Sequence, residues 1–265
     1  MTDTDSGTDS GTHPEAAPDW LAPLVAACRR LGPDDVPFRR RIAGTAPNGR
    51  SAAVLMLFAG PGDAPELLLT ERAAEMRAHA GQAAFPGGTI DPTDAGPVAA
   101  ALREANEETG LDPDGVVPLV TLPPLTIPVT GFAVTPVLAH WARPVPVRVV
   151  DPGETAAVVR VPVAALTDPA ARFLVTGPSG YVGPAFAAGG LLVWGFTAGL
   201  VDWMLTLAGW ARPWDRSDVR DLDEVWAQRH DLSAGTTAGT SVHPASSGHP
   251  APSRPDAAAE GGPIR

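Results

Sequence analysis

The sequence predicts an α/β fold in which a mixed β-sheet lies between helices, as a three-layer α/β/α sandwich. Apolar runs of strand length recur along the chain, and an Ala-rich segment carries both a helix start signal and a helix stop signal. These strands and helices do not alternate regularly, which favours a mixed sheet over the parallel sheet of a doubly wound fold. With 265 residues, of which 44% are hydrophobic, the chain can bury a sizeable core.

The first predicted elements are a helix and a β-hairpin. Residues 19–31, DWLAPLVAACRRL, have apolar residues at helical spacing. Residues 51–60, SAAVLMLFAG, form an apolar run typical of a buried strand, and residues 64–73, APELLLTERA, are predicted to pair with it. The intervening GPGD supplies the Gly, Pro and Asp residues that a tight turn favours.

The central predicted helix spans residues 96–110, GPVAAALREANEETG. Pro97 suits the first turn because an N–H there would have no intrahelical partner, and Gly110 suits the end because it accepts a left-handed conformation. The helix has an apolar stripe that is expected to pack on the sheet, formed by Val98, Ala101, Leu102 and Ala105.

Further strands are predicted after this helix, in residues 116–127, 131–142 and 156–167. Residues 195–210, GFTAGLVDWMLTLAGW, are predicted to form the closing helix of the domain.

The apolar stretch 189–210 approaches the length of a membrane span and contains one charged residue, Asp202. A transmembrane helix is therefore an alternative to a buried strand that runs into a core helix. Gly195 and Gly199 interrupt the run, and no positive residues flank its start. We therefore expect the strand and the core helix, and no membrane partner.

Both ends of the chain have compositions typical of disorder. Residues 1–16 include the repeat DSGTDSGT, and residues 232–265 are rich in Ser, Gly, Pro, Ala and Thr. We therefore predict a folded domain over residues 17–231, flanked by two disordered segments.

The charge and cysteine content narrow the class of protein. The formal net charge is −11, and all 19 basic residues are Arg. An acidic surface argues against nucleic acid as a partner, and an anionic substrate would need a local source of positive charge.

The single Cys28 excludes an internal disulfide and is typical of a cytoplasmic protein, and the acidic start has no signal-peptide pattern. A homodimer is a possible assembly.

Three glutamates of the predicted helix, Glu104, Glu107 and Glu108, stand at positions i, i+3 and i+4. Residues at this spacing are neighbours on a helix surface, so their carboxylates repel each other unless a cation joins them. Mg²⁺ prefers oxygen ligands and commonly combines a few carboxylates with water and substrate phosphates. Arg103 precedes Glu107 by four residues and is placed to pair with it and to hold it in position.

A solvated charged face with one weak ion pair is the alternative interpretation of these glutamates. We prefer a metal site because the charges are segregated on a helix that is otherwise rich in Ala, and because a Gly-Gly loop precedes that helix.

Residues 85–111, FPGGTIDPTDAGPVAAALREANEETGL, resemble the Nudix box of the Nudix hydrolases. The second half of the box is matched in register by Arg103, Glu104, Ala105, Glu107, Glu108, Gly110 and Leu111. The first half departs from the pattern, because Asp94 stands where the box has Glu, and eight residues rather than seven separate it from Arg103. The pattern leaves open whether Asp94, or Asp91 nearby, contributes to a metal site.

The resemblance implies a Nudix-type α/β/α sandwich with a catalytic loop–helix–loop. It also implies one or more Mg²⁺ or Mn²⁺ ions held by Glu104, Glu108 and Glu107, with the Gly88 carbonyl as a further ligand. Arg103 joins the glutamates as an implied catalytic residue.

A second motif lies upstream, in residues 68–88, LLTERAAEMRAHAGQAAFPGG. It resembles the signature of the coenzyme A diphosphatase branch of the Nudix family. The matching residues are Leu68, Leu69, Thr70, Arg72, Ala73, Arg77, Gly81, Phe85, Pro86, Gly87 and Gly88. The two motifs together cover residues 68–111 without a gap.

The upstream motif supplies candidate substrate-binding residues. Arg72 and Arg77 place guanidinium groups ahead of the acidic helix, and a guanidinium binds phosphate oxygens in bidentate fashion. Surface ion pairs with neighbouring glutamates are the alternative for each, and His79 is more simply a polar loop residue. Gly87 and Gly88 allow a tight turn with a close backbone approach.

Two downstream segments also resemble this branch. In residues 151–166 a Glu precedes a strand, which makes Glu154 a candidate for the general base or for an extra metal ligand. A plain loop glutamate is the alternative. Residues 193–205 resemble the branch's C-terminal segment and are interpreted as structural.

The resemblance implies hydrolysis of the diphosphate of coenzyme A or its derivatives to 4′-phosphopantetheine and 3′,5′-ADP. A bound metal ion would neutralise the diphosphate and activate a water, which meets the need for positive charge. The nearest alternative is another nucleoside diphosphate derivative, ADP-ribose or NADH. A non-catalytic Nudix-fold binding module is a further alternative, against which the three retained carboxylates argue.

Overall fold

The computed structural model describes residues 11–32, 35, 49–74, 80–127, 131–177 and 180–229, together with the backbone of residues 241–244. Arg77 and His79 lie outside these described residues.

The structure contains short helices and a larger number of strands. The helices are α1 (Ala22–Cys28), α2 (Pro97–Thr109), α3 (Val163–Leu166), α4 (Gly195–Leu207) and α5 (Leu222–Ala227). The strands of the first half are β1 (Ser51–Ala59), β2 (Glu66–Arg72), β3 (Ala83–Ala84), β4 (Gly87–Thr89), β5 (Val116–Thr121), β6 (Leu125–Ile127) and β7 (Phe132–Trp141). Those of the second half are β8 (Thr155–Pro162), β9 (Arg172–Gly177), β10 (Tyr181–Ala188), β11 (Leu191–Val193), β12 (Val219–Asp221) and β13 (Ser241–Pro244).

The main sheet is mixed, as the sequence predicts. Its strands follow the order β13-β8-β2-β1-β7-β5, with β3 beside β2, β4 beside β1 and β6 beside β7. The central strands β1 and β7 run parallel in a register that pairs Ser51 with Ala133 and Phe58 with His140. The hairpin of β1 and β2 is antiparallel and pairs Phe58 with Leu67. The two long strands β2 and β8 are also antiparallel.

Successive side chains of β1 point to opposite faces of this sheet, which places helices on both sides of it. Leu55 and Leu57 are buried in a cluster with Val98 and Ala101 of α2. Phe58 and Met56 are buried in a second cluster that includes residues of α1 and α4, such as Leu24, Leu200 and Met204. The predicted α/β/α sandwich is therefore confirmed, with α2 on one face and α4 on the other.

A smaller sheet lies beside the main one, with the strand order β11-β10-β9-β12. Strand β12 runs parallel to β9, and β10 is antiparallel to both β9 and β11. This sheet has no counterpart among the elements that the sequence predicts. The prediction that residues 195–210 form the closing helix is wrong, because β12 and α5 follow α4 and pack on β9.

Helix α2 begins and ends where the sequence predicts because of the residues at its two ends. Gly96 precedes it at φ 144°, Pro97 opens it, and Gly110 ends it in a left-handed conformation at φ 67°. The Gly110 N–H donates to Asn106 O at 2.8 Å. Of the predicted apolar stripe, all members are buried except the half-buried Leu102.

Other predicted segments differ in detail. Residues 116–127 divide into β5 and β6, and the end of the predicted strand 156–167 is helix α3. Residues 189–210 contain a buried strand, β11, that leads into α4, as expected. Among the described residues no helix is both long and apolar enough to cross a membrane.

Two short elements lie inside the segments for which disorder is predicted. Residues 14–16 form a 3-10 turn, and the N–H of His13 donates to Pro118 O at 2.8 Å. Strand β13 pairs antiparallel with β8. The domain boundaries at residues 17 and 231 stay a prediction.

Candidate active site

Arg103 ties the glutamates of α2 to the loop that precedes the helix. Its Nη1 donates to Glu104 Oε1 at 3.1 Å and to Glu107 Oε2 at 3.0 Å. The pairing of Arg103 with Glu107 is the one that their spacing predicts. Nη2 donates to the carbonyl oxygen of Thr89 at 3.0 Å. One guanidinium therefore fixes two carboxylates of the helix and the end of strand β4.

The same guanidinium binds the Asp94 carboxylate in bidentate fashion, through Nε and Nη2 at 3.0 Å each. The Asp94 Oδ2 also accepts the Asp91 N–H at 2.8 Å. The hydrogen bond from Arg103 holds the pKa of Asp94 below its usual range, and Asp94 raises the pKa of Arg103. Asp94 therefore shapes the loop and orients Arg103, while the more exposed Asp91 lies 3.7 Å from Arg103 Nη2.

Glu108 lies deepest of the three glutamates. Its Oε2 accepts the Gly87 N–H at 3.1 Å, across the gap between α2 and β4. Burial raises the pKa of Glu108 to about 7, and the negative charges of Glu104 and Glu154 raise it further. The Gly87 hydrogen bond and the positive charge of Arg72 lower it. Glu108 therefore lies within electrostatic reach of groups from three separate elements.

Glu104 packs directly against the backbone of Gly88. A Cβ atom on Gly88 would lie 2.5 Å from the carboxyl carbon of Glu104, so any larger residue would displace that side chain. Burial raises the pKa of Glu104, whereas the adjacent Arg103 lowers it. Glycine is required at position 88 because the Glu104 carboxyl group lies so close to its backbone, and not because its φ is unusual.

Gly87 has a different reason to be glycine. Its φ of 153° is rare for residues with a side chain, and a Cβ would collide with the backbone of β1 at Ala53 O and at Val54 Cα, 2.7 Å away. Strand β4 can therefore pair with β1 and present the Gly87 N–H to Glu108 only without a side chain at this position.

Arg72 and Glu154 meet at the ends of β2 and β8, where the strand pairing shifts register between Glu71 and Arg72. The Ala73 N–H donates to the Glu154 carbonyl oxygen at 2.8 Å, which holds the two strand ends together. The Arg72 Nε is buried and has no hydrogen-bond partner among the described residues. Glu154 is exposed. Its carboxylate is therefore accessible to solvent while it still contributes to the potential at Glu108.

The donor set suits a hard divalent cation. Glu104, Glu107 and Glu108 offer carboxylate oxygens on one side of α2, and burial of Glu104 and Glu108 disfavours their charged forms unless a cation compensates them. Among the described residues, no three acidic, His or Cys side chains are gathered closely enough to hold an ion as they stand. Binding would therefore require the carboxylates of this set to come closer together.

The structure brings most of the predicted site residues together. Those around α2 are Arg72, Gly87, Gly88, Arg103, Glu104, Glu107, Glu108 and Glu154. The predicted substrate-binding Arg77 lies outside the described residues. Two contacts of the site are not predicted by the sequence, because neither has a helical spacing: that of Arg103 with Asp94 and that of Glu108 with the Gly87 N–H.

This part of the chain is similar to a known protein family. The model of the NUDIX domain matches residues 47–175, which include β1–β8 and α2. The match covers the hairpin, the glycine loop, the acidic helix and Glu154.

Curated relatives match part of the chain. The chain is 46% identical over 126 residues to the protein from Cronobacter sakazakii described as uncharacterized Nudix hydrolase NudL, covering 48% of this chain and 64% of the relative. It is 50% identical over 100 residues to the protein of the same description from Citrobacter koseri, covering 38% of this chain and 51% of that one. The chain thus spans between half and two thirds of the length of these relatives.

Solved structures show a partial likeness. A Nudix hydrolase from M. smegmatis, RenU, is 31% identical with a TM-score of 0.33, covering 37% of this chain and 63% of that one. The NUDIX domain of Shewanella oneidensis NrtR complexed with ADP ribose is 18% identical with a TM-score of 0.36, covering 52% of this chain and 82% of that one. The family match, together with the mixed sheet and its flanking helices, shows that this part of the chain has the Nudix fold.

Proposed function

We propose that this protein is a metal-dependent Nudix hydrolase that cleaves the diphosphate linkage of coenzyme A or of its derivatives. The products are 4′-phosphopantetheine and 3′,5′-ADP. The cofactor of the proposal is Mg²⁺ or Mn²⁺.

One observation carries the hydrolase proposal: two half-buried glutamates of α2 face the backbone of the Gly87–Gly88 loop. Glu108 accepts the Gly87 N–H, and Glu104 lies against Gly88. Carboxylates buried in this way are costly as ions unless a cation joins them. The site therefore has a reason to bind a divalent metal, and the metal in turn can hold an anionic substrate on a protein of net charge −11.

Each residue of the site has a distinct part in the proposed reaction. Glu104 and Glu108, with Glu107, would hold the cation, which would neutralise the diphosphate and activate a water for attack. Arg103 positions Glu104 and Glu107 through its Nη1 hydrogen bonds. Glu154, which is exposed, or one of the α2 glutamates would accept the proton of the attacking water.

Arg72 supports a phosphate-rich substrate such as coenzyme A. Its buried Nε has no hydrogen-bond partner among the described residues, and its charge acts on Glu108, which places it beside the proposed metal site. A guanidinium in that position suits a diphosphate oxygen. The choice of coenzyme A over other diphosphates rests on the motif of residues 68–88.

A substrate panel tests the proposal. We expect Mg²⁺- or Mn²⁺-dependent release of 3′,5′-ADP from free coenzyme A or acyl-coenzyme A, at higher kcat/KM than for ADP-ribose or NADH, measured by chromatography of the products. A clear preference for ADP-ribose or NADH would overturn the coenzyme A assignment but keep the hydrolase. No hydrolysis of any of the four would favour a non-catalytic binding module.

Glu108→Gln tests the site itself. The variant keeps the shape of the side chain but removes the charge that a metal ligand needs, so turnover should fall by at least about a hundredfold. Glu15→Gln is the matched control, because Glu15 is an exposed glutamate outside the site. Activity of E108Q equal to that of the wild type would contradict the assignment.

The location and assembly are also part of the proposal. A cytoplasmic location rests on the single cysteine, Cys28, which is free and buried. A homodimer is one possible assembly, and light scattering of the purified full chain would distinguish it from a monomer.

A further inference from the structure

A second cleft lies away from α2, where α4 meets the smaller sheet and the segment that follows α4. It has a volume of about 290 Å³ and is lined by Arg172, Asp202, Thr206, Ala211, Arg212, Pro213, Trp214 and Arg216. We call it the arginine cleft. It belongs to the α4 face of the main sheet, and α2 packs on the opposite face.

The lining of the arginine cleft is positive in an acidic protein. Three of the 19 arginines of the chain line it, against one acidic residue, Asp202, so its lining has two uncompensated positive charges. Arg212 and Arg216 are exposed, and among the described residues neither has a carboxylate within salt-bridge distance. Such a local excess attracts an anion.

Arg172 is the buried member of the cleft. Its side chain is 1% exposed, and its Nη2 donates to Asp202 Oδ1. The Nε and Nη1 atoms are buried and have no hydrogen-bond partner among the described residues. Burial lowers the pKa of Arg172, and the nearby charge of Arg216 lowers it further, while Asp202 raises it. A buried guanidinium with donors left over is costly unless a further acceptor satisfies them.

Aromatic rings stack against two of the three guanidiniums, those of Arg172 and Arg216. The Arg172 guanidinium carbon lies 5.1 Å from the Phe186 ring centroid and 4.8 Å from that of Trp214. The Arg216 guanidinium lies 5.1 Å from the same Trp214 ring. Arg212, Trp214 and Arg216 lie within five residues of each other on the segment that follows α4, which brings all three to one cleft. Guanidiniums stacked in this way are ordered before a ligand binds, so less rotamer entropy is lost on binding.

From these contacts we propose that the arginine cleft binds a phosphate group, either free or on a small molecule, at a site separate from the one on α2. Guanidiniums recognise phosphate oxygens in bidentate fashion. Two uncompensated positive charges match a dianionic phosphate. The cleft is small, which suits a phosphate group rather than a whole nucleotide held on all sides.

Calorimetric titration of the full chain tests this inference. The titrants are inorganic phosphate, pyrophosphate and AMP, in a chloride buffer of constant ionic strength that contains EDTA so that no metal on α2 captures them. We expect wild-type protein to bind at least one of the three. Tightest binding of inorganic phosphate or pyrophosphate indicates a free anion as the ligand, and tightest binding of AMP indicates a phosphate monoester.

The variants assign any binding to the cleft. Arg212→Ala with Arg216→Ala should weaken binding by at least tenfold, and the thermal midpoint without ligand reports whether the double variant is folded. Arg29→Ala with Arg30→Ala removes the same charge from two exposed arginines at the end of α1 and should change affinity less than twofold. E108Q should bind as the wild type does, which separates this site from the proposed hydrolase site. Absence of binding by all three titrants, or equal affinity of R212A/R216A and wild type, would overturn the proposal.

Discussion

At the scale of single residues, Glu108 links the chemistry of the site to the stability of the fold. Burial raises its pKa to about 7 in the metal-free protein, against an ordinary value of 4.5. Between these two pH values the folded chain binds more protons than the unfolded chain, so stability falls as pH rises. Above pH 7 the effect is complete, and it amounts to at most about 3 kcal/mol.

Glu108→Gln should remove this pH dependence while keeping an oxygen for the Gly87 N–H. In EDTA, the free energy of unfolding of the wild type relative to E108Q should fall by up to about 3 kcal/mol from pH 4.5 to pH 8. Urea denaturation at the two pH values measures it. Glu107→Gln controls for loss of a charge from the same helix. If the difference in unfolding free energy between wild type and E108Q were the same at both pH values, the raised pKa of Glu108 would be contradicted.

The two glycines of the loop should respond differently to the same substitution. Gly88→Ala pushes against the end of the flexible Glu104 side chain, so stability should change by less than about 1 kcal/mol. Displacement of that carboxylate should nevertheless lower kcat/KM by about a hundredfold. Gly87→Ala pushes against the backbone of β1 and should cost about 3 kcal/mol. Urea midpoints and kinetics on the same samples separate the two effects, and full activity of G88A would contradict the role of Glu104.

At the scale of elements, Arg103 joins α2 to the loop between β4 and the helix. Lysine cannot bind Asp94 in bidentate fashion and at the same time reach Glu104, Glu107 and the Thr89 carbonyl. Arg103→Lys should therefore lower kcat by about ten- to a hundredfold, because Glu104 and Glu107 lose their orientation.

A double-mutant cycle measures the clamp itself. Arg103→Lys and Asp94→Asn, alone and together, should show a coupling energy of about 1 kcal/mol in urea denaturation. Arg30→Lys, an exposed position at the end of α1, controls for the chemical change. Additive effects of R103K and D94N would show that the loop and the helix are held together by other contacts.

The elements that the sequence predicts are those whose signals are local. Helix α2 was predicted because Pro97 and Gly110 mark its ends, and the hairpin of β1 and β2 because a short turn joins two apolar runs. The smaller sheet was missed because β10 contains Gly183 and Pro184, and because β9 begins with the buried Arg172. Glycine and proline weaken the strand pattern, and a buried arginine hides it.

The same distinction between local and distant contacts applies to the candidate site. The proximity of Glu104 and Glu108, and the pairing of Arg103 with Glu107, follow from helical spacing alone. The Gly87 N–H partner of Glu108 depends on how β4 pairs with β1, and no periodicity reports that contact. The neighbourhood of Arg72 and Glu154 likewise depends on the pairing of β2 with β8.

At the scale of the whole molecule, the mixed sheet separates two sites of opposite charge. The acidic α2 site lies on one face, and the arginine cleft lies on the α4 face. A divalent cation is therefore expected to act on the first, and a phosphate anion on the second. The net charge of −11 attracts cations to the whole surface. Specific metal binding at α2 is distinguished from this general attraction by its dependence on pH and on Glu108.

Metal binding should stabilise the whole fold in a pH-dependent way. A ligand that binds only the folded chain raises its stability by about 2.7 kcal/mol at a hundredfold excess over Kd. Because the pKa of Glu108 is about 7 without metal, protons compete with Mg²⁺ at pH 6 and hardly at pH 8. One pH unit below the pKa weakens binding about tenfold, which reduces the stabilisation by about 1.4 kcal/mol, or roughly 3–6 °C in Tm.

Differential scanning fluorimetry with Mg²⁺ against EDTA should therefore show the larger Tm shift at pH 8. E108Q should show a small shift at both pH values, and equal wild-type shifts at pH 6 and pH 8 would indicate that Glu108 is not a metal ligand.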